Sequence, residues 1–423
     1  MPPPPRLLNL LNLLAPLSCL PTPAAAAPAP GPSSPGYSLP TPASGALSSS
    51  PSSLFSIDDT AAVFHTRINR HGSKKPVPRP QLVQQPHQRK RQRPGVKKPR
   101  DDGTTASSPS KQPLLARDFP DPSITQDVDG TWYAFATASG GKNMQAASAP
   151  APEGPWTYID SDLMPSVGSW TDGLNTWAPD VRVIRSGGGG GSSGDAKYVV
   201  YYSGELANNS ALHCIGAATS QSGSILGPYE PQTEPFACPY DQGGAIDPSG
   251  YWDEESGRRY VLYKTDGNAI GHGGECNNGV APQVPTPIML QEVDANDGIT
   301  KIGSARQIFD RIDDDGPLVE APNLVRMADS GVYVLFYSSH CWVDPLYSVS
   351  YATADSVDGP YTRGGKVIQS GDNFNLTAPG GATGLEDGAG WMVFHANCLQ
   401  GRCLFGAEFE LQQGKNLVVL GVD

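Results

Sequence analysis

Three acidic residues stand out by their neighbours. Asp121 lies in PDPS, Asp247 in AIDPSGYWD and Glu320 in EAPNLVR. In each, a proline follows directly or after one residue, which biases the local backbone toward an extended form. Acids gathered around one centre repel each other, so at least one should hold its proton to higher pH. The unperturbed values, about 3.9 for Asp and 4.3 for Glu, would otherwise leave all three ionised near neutrality. A protonated carboxyl beside an ionised one is the pairing that acid–base hydrolysis of an acetal requires.

Such residues need elements that bring them together. The chain repeats one short phrase five times: GTWYAF (130–135), AKYVVYYS (196–203), RRYVLYK (258–264), GVYVLFYSS (331–339) and GWMVFHAN (390–397). The lead aromatics Trp132, Tyr198, Tyr260, Tyr333 and Trp391 are 66, 62, 73 and 58 residues apart. One strand type recurring at this period predicts a repeat architecture. A strand-rich unit of roughly 40–70 residues is about one four-stranded propeller blade with its loops. The expected fold is therefore all-β, a five-bladed propeller. Asp121, Asp247 and Glu320 each lie about 11–13 residues before the next lead aromatic. Equivalent strands would then aim all three at one centre.

The ordered set PDPS, WAPDV (177–181), IDPSGYWD (246–253) and EAPNLVR (320–326) resembles glycoside hydrolase family 43. The phrases SAPAPEGPW (148–156), ATSQSGSILGPY (218–229) and ATADSVDGPY (352–361) support the resemblance, which spans about residues 115–412. It implies a five-bladed propeller that inverts the anomeric carbon. It implies Asp121 as the general base that activates water and Glu320 as the general acid. Asp247 would orient the acid and modulate its pKa. Inversion leaves room for water, with the two carboxyls roughly 6.5–9.5 Å apart. Trp177 and Phe119 are implied as walls of a sugar pocket, and Arg402 as an arginine reaching the centre from the last blade. Family members often carry Pro-Gly-His in the fifth blade, the His holding a central water or metal ion. Here TAPGGATG (377–384) puts Gly381 at that place, and His395 falls later, inside the aromatic strand. No cofactor is expected, and the case for a central calcium is weakened.

The EAP wording around Glu320 is closer to arabinan-active members than to xylosidases. The expected activity is on α-L-arabinofuranosyl linkages of plant cell-wall polysaccharide, as arabinan or arabinoxylan. The alternatives are a β-xylosidase or exo-galactanase, or a carbohydrate-binding propeller that has lost catalysis. A monomer is expected.

Composition bounds these readings. The net charge of -12 hides a split. Residues 114–423 carry 16 Lys+Arg against 38 Asp+Glu, while residues 1–113 carry 14 against 4. A strongly acidic folded part argues against nucleic acid or an anionic membrane as ligand. Residues 1–27, with Arg6, the apolar stretch Leu7–Leu20 and alanines 24–27, read as a secretory signal peptide. The expected localisation is therefore extracellular. Residues 28–113, rich in Pro and Ser with 12 Lys+Arg between Arg67 and Arg100, read as a disordered basic linker. Lys90-Arg91 within it is a candidate processing site. The GGGGGSSG run (187–194) reads as a hairpin loop. Beyond Cys19, six cysteines allow three disulfides with 15 connectivities, Cys398 and Cys403 being near enough to pair locally. Asn208 and Asn375 open glycosylation sequons, which also fit export.

Overall fold

The computed structural model describes residues 112–185, 196–372, 374–386, 388–412 and 415–422. Within them the chain forms five four-stranded antiparallel sheets, each built from four consecutive strands. The first comprises β1 (Ser123–Gln126), β2 (Trp132–Ala136), β3 (Gln145–Ala149) and β4 (Thr157–Ile159). The second comprises β5 (Thr171–Ile184), β6 (Lys197–Leu206), β7 (Asn209–Ser220) and β8 (Tyr229–Pro231). The third comprises β9 (Ala245–Asp253), β10 (Arg258–Thr265), β11 (Ile288–Val293) and β12 (Lys301–Phe309). The fourth comprises β13 (Val319–Arg326), β14 (Tyr333–Ser339), β15 (Ser348–Ala354) and β16 (Thr362–Gln369). The fifth comprises β17 (Gly380–Gly384), β18 (Trp391–Cys398), β19 (Gly401–Gln412) and β20 (Asn416–Val422).

The first strands touch in ring order, β1 to β5, β9, β13, β17 and back to β1. This is the expected five-bladed propeller. The recurring aromatic phrase is the second strand of every blade. Its near-continuous apolar run follows from burial on both faces, as in β14, where all residues are buried. The cores lie between blades: Val325, Val334 and Phe336 of blade four pack with Met392, Phe394 and Phe405 of blade five. The ring is closed by the segment ahead of β1, where Phe119 donates its N–H to the Arg402 carbonyl at 2.7 Å.

Among the described residues there are three disulfides: Cys214 of β7 with Cys238, Cys276 with Cys341, and Cys398 of β18 with Cys403 of β19. The second joins blade three to the segment after β14. The GGGGGSSG run lies outside the described residues, but β5 and β6 on either side of it pair antiparallel, as a hairpin requires. The signal peptide and basic linker expected over residues 1–113 also fall outside the described residues, save residues 112 and 113.

Candidate active site

The site is built by one backbone device repeated five times. Asp121, Ala178, Asp247, Ala321 and Gly381 have φ of 53°, 43°, 57°, 50° and 62°. Asp121 lies just ahead of β1, Asp247, Ala321 and Gly381 stand near the starts of β9, β13 and β17, and Ala178 lies midway along β5. The registers of β5, β9, β13 and β17 against their neighbours slip at this point. Left-handed backbone costs a non-glycine residue roughly 1–2 kcal/mol and persists only where surroundings over-determine it. A bulge of this kind re-aims a side chain. The expectation of extended backbone before proline is corrected here, because packing of the ring overrides the local preference. Asp121 and Asp247 are equivalent in this frame; Glu320 is not. It stands one residue before the left-handed Ala321, so the equal phase read from the sequence holds for two acids, and the third is offset.

What holds the five residues is a circle of hydrogen bonds, each running to the preceding blade. Ala178 N–H donates to Thr137 Oγ1 at 2.9 Å, and Asp247 N–H to Ser203 Oγ at 2.9 Å. Ala321 N–H donates to Asp247 Oδ2 at 2.9 Å, and Gly381 N–H to Ser338 Oγ at 2.9 Å. Asp121 N–H closes the circle on His395 Nδ1 at 3.0 Å. Thr137, Ser203 and Ser338 sit five residues after their lead aromatics. The fifth blade has Ala396 there, and His395 one residue earlier supplies the acceptor instead.

His395 therefore does occupy the centre, which corrects the reading that placed it elsewhere. A Cβ on Gly381 would lie 2.9 Å from His395 Nδ1 and 3.3 Å from Asp121 Cα. The imidazole fills space that Gly381 leaves open. Its neighbour Gly380 is needed for a second reason, since a Cβ there would meet the Tyr347 ring at 1.9 Å. Burial first, then the Arg402 charge, lowers the His395 pKa to about 3. With Nδ1 accepting the Asp121 N–H, the proton of the neutral ring sits on Nε2. Neither nitrogen then offers a lone pair to a cation. Calcium also prefers six to eight oxygen ligands. The residues present do not fit a calcium ion held by this histidine.

The acids converge on one cavity of about 260 Å³, lined by Asp121, Asp247, Glu320, Trp177, Tyr347 and Arg402 among others. Asp121 accepts from Thr137 Oγ1 at 2.7 Å and from Arg402 Nη1 at 3.2 Å. Burial would raise its pKa, but Arg402, His395 and the Thr137 hydroxyl outweigh burial and hold it below the usual aspartate value. Asp247 moves the other way: burial, then the Glu320 charge, pushes it well above that value. The proton expected on one member of the cluster thus falls on Asp247. Glu320 accepts from Tyr347 Oη at 2.9 Å and from Lys264 Nζ at 3.2 Å. Lys264 is fully buried between Glu320 and Asp266, the latter 2.9 Å away. Burial alone would lower its pKa; the charges of Asp266, Glu320 and Asp247 raise it instead.

A groove of about 570 Å³ adjoins this cavity. Glu320, Trp177, Ile246 and Trp342 line both spaces, whereas Asp121 and Asp247 line only the first. Trp177 is held flat on His213, ring centroids 3.6 Å apart. Arg402 reaches the centre from β19, its guanidinium 4.9 Å over the Trp342 ring. Phe119 does not line the cavity. It is fully buried in the cluster between blades one and five with Ile124, Trp391 and Leu404, because its backbone is tied to β19. Lys264, Tyr347 and Trp342 were not singled out in the sequence. Lys264 carried a signal, as the one Lys or Arg that follows the lead aromatic within the five repeated phrases; Tyr347 and Trp342 lie in a loop where the repeat gives no register.

The chain belongs to glycosyl hydrolases family 43, whose sequence pattern matches residues 110–415. It is 37% identical over 105 residues to a probable arabinan endo-1,5-alpha-L-arabinosidase A of Aspergillus flavus, a stretch covering 24% of this chain and 28% of that relative. It is 25% identical over 227 residues to the beta-D-galactofuranosidase xynD of Aspergillus niger, covering 53% of this chain and 57% of the relative. In fold it is similar to an endo-arabinase from Bacteroides thetaiotaomicron, with a TM-score of 0.54, 18% identity, and coverage of 72% of this chain and 98% of the other.

Proposed function

We propose that this protein is an exported, inverting glycoside hydrolase acting on α-L-arabinofuranosyl linkages of plant cell-wall polysaccharide. The observation that carries the reading is the single cavity holding three carboxyls, continuous with a groove that only Glu320 of the three reaches. A sugar in the cavity would place its leaving group in the groove, beside Glu320. Asp121, kept ionised by Arg402, takes a proton from water as that water attacks the anomeric carbon. Asp247 passes the proton it retains to its neighbour Glu320, and Glu320 gives it to the departing glycosidic oxygen, so the bond breaks without releasing a charged alkoxide. Asp247, tied to the Ala321 N–H, fixes the strand that carries Glu320. Lys264 and Tyr347 hold the Glu320 carboxyl in place. Trp177, backed by His213, is the wall against which the sugar lies. The matched arabinosidase stretch supports arabinan as the polymer, and the groove's size suits a chain.

The test is product analysis on linear arabinan, arabinoxylan, galactan and xylo-oligosaccharides, with NMR reading the anomer first released. Inverted arabinose-terminated products from arabinan are expected; retained products would refute the mechanism, and turnover confined to xylan or galactan would refute the substrate. Sugar binding without release of reducing ends would favour a binding propeller. Replacing Glu320 by Ala should nearly abolish turnover on poor leaving groups and spare activated aryl glycosides. Equal loss on both would remove Glu320 as the acid.

A further inference from the structure

The first strands all begin at the acid-bearing end of the axis, so their far ends gather on the opposite face. There a second cavity of about 180 Å³ opens, with walls from four of the five blades. Trp132 and Trp252 contribute partly exposed indoles from blades one and three. Arg182 and Arg185 come from blade two, Glu254 from blade three and Glu386 from the turn after β17.

Arg182 is almost wholly buried, and two of its three nitrogens have structural work. Nε donates to Asp180 at 2.7 Å, and Nη1 lies 2.9 Å from Glu386 Oε1, which ties blade two to blade five. Its Nη2 is buried without a hydrogen-bond partner among the described residues. A buried guanidinium nitrogen left unpaired is costly and calls for an explanation. Arg185 is exposed at the rim of the same cavity and makes no ion pair among the described residues. Arg259 lies 5.1 Å over the Trp252 ring, which fixes that indole. The lining therefore offers flat aromatic surface, N–H donors and carboxylate acceptors, with two cations balanced by two anions.

That mixture selects a ligand class. Hydroxyl groups both donate and accept, so they satisfy arginine and glutamate alike, and the apolar faces of a sugar ring stack on indole. An anionic ligand would meet Glu254 and Glu386. From this geometry we infer that the cavity is a second, non-catalytic binding site for a neutral saccharide unit, on the face opposite the acids. Such a site would hold a polymer chain while another segment occupies the cleft, raising the effective concentration of substrate.

The experiment uses the full chain carrying Asp121→Asn, so that ligands stay intact. Titration calorimetry with linear arabino-oligosaccharides, xylo-oligosaccharides and digalacturonate counts sites and ranks ligands. Two sites for a neutral oligosaccharide are expected. Trp252→Ala should weaken one of them about tenfold, the upper end of an aromatic stacking contribution, and leave the other unchanged. Arg185→Ala, at an exposed position, should weaken the same site without affecting folding. Placed in the otherwise native chain, both substitutions should leave turnover of a short soluble substrate unchanged and slow attack on polymer. One site for every neutral saccharide, two sites indifferent to both substitutions, or a preference for digalacturonate would each overturn the inference. Turnover of arabinan is read separately, so failure of the proposed substrate and failure of this site are distinguishable.

Discussion

Gly381→Ala is expected to destabilise the propeller by about 2–5 kcal/mol. Two contributions are visible. The residue sits at φ 62°, where a Cβ costs roughly 1–2 kcal/mol. The new methyl would also stand 2.9 Å from His395 Nδ1 and 3.3 Å from Asp121 Cα, and overpacking of a rigid site costs typically about 1–3 kcal/mol. Neither neighbour yields easily: the imidazole is fully buried, and Asp121 is backbone. The second contribution belongs to the pair, and a double-mutant cycle isolates it. His395→Ala alone removes the acceptor of the Asp121 N–H, leaving a donor unpaired at about 1–3 kcal/mol, and opens a cavity. In the double variant the alanine methyl has room, so the combined loss should be smaller than the sum by about 1–3 kcal/mol. Urea denaturation followed by tryptophan fluorescence, with disulfides intact, gives the stabilities. A Gly381→Ala variant within about 0.5 kcal/mol of the native chain, or additive losses, would refute the idea that His395 fills the space above Gly381.

Arg402→Met should raise the Asp121 pKa, because the cation that holds it down is gone; the acidic limb of kcat/KM should then move to higher pH, and an unmoved limb would separate Arg402 from the base. Tyr347→Phe leaves Glu320 Oε1 without its hydroxyl donor and should lower kcat by about 10–100-fold, the range of a hydrogen bond to a charged group, with little change in KM. Asp247 has a folded pKa above its unfolded value, so the folded state binds the extra proton between the two and stability falls as pH rises through that window. Asp247→Asn mimics the protonated form; its stability should therefore lose that pH dependence and exceed the native chain's at the alkaline end, as thermal melts across pH would show.

The sequence by itself determined the blade count, since the aromatic phrase recurs wherever a second strand must be buried on both faces. It also marked the three acids, because each is followed by a proline within two residues and stands 11–13 residues ahead of a lead aromatic. The offset of Glu320 was not legible. It depends on which residue adopts the left-handed turn, and in EAPNLVR that residue is Ala321, not the acid. Phe119 misled for a similar reason: adjacency to Asp121 in the chain says nothing of direction once the segment is bound to the last blade. His395 lies inside a strand, and strand position alone cannot reveal that Gly381, on the neighbouring strand, vacates the volume its ring occupies. Local pattern is set by burial and period, which the chain carries in order. The site was decided by the tertiary ring, where hydrogen bonds from each blade to the preceding one fix the backbone turns, and only closure of the last blade on the first brings His395 and Arg402 to Asp121.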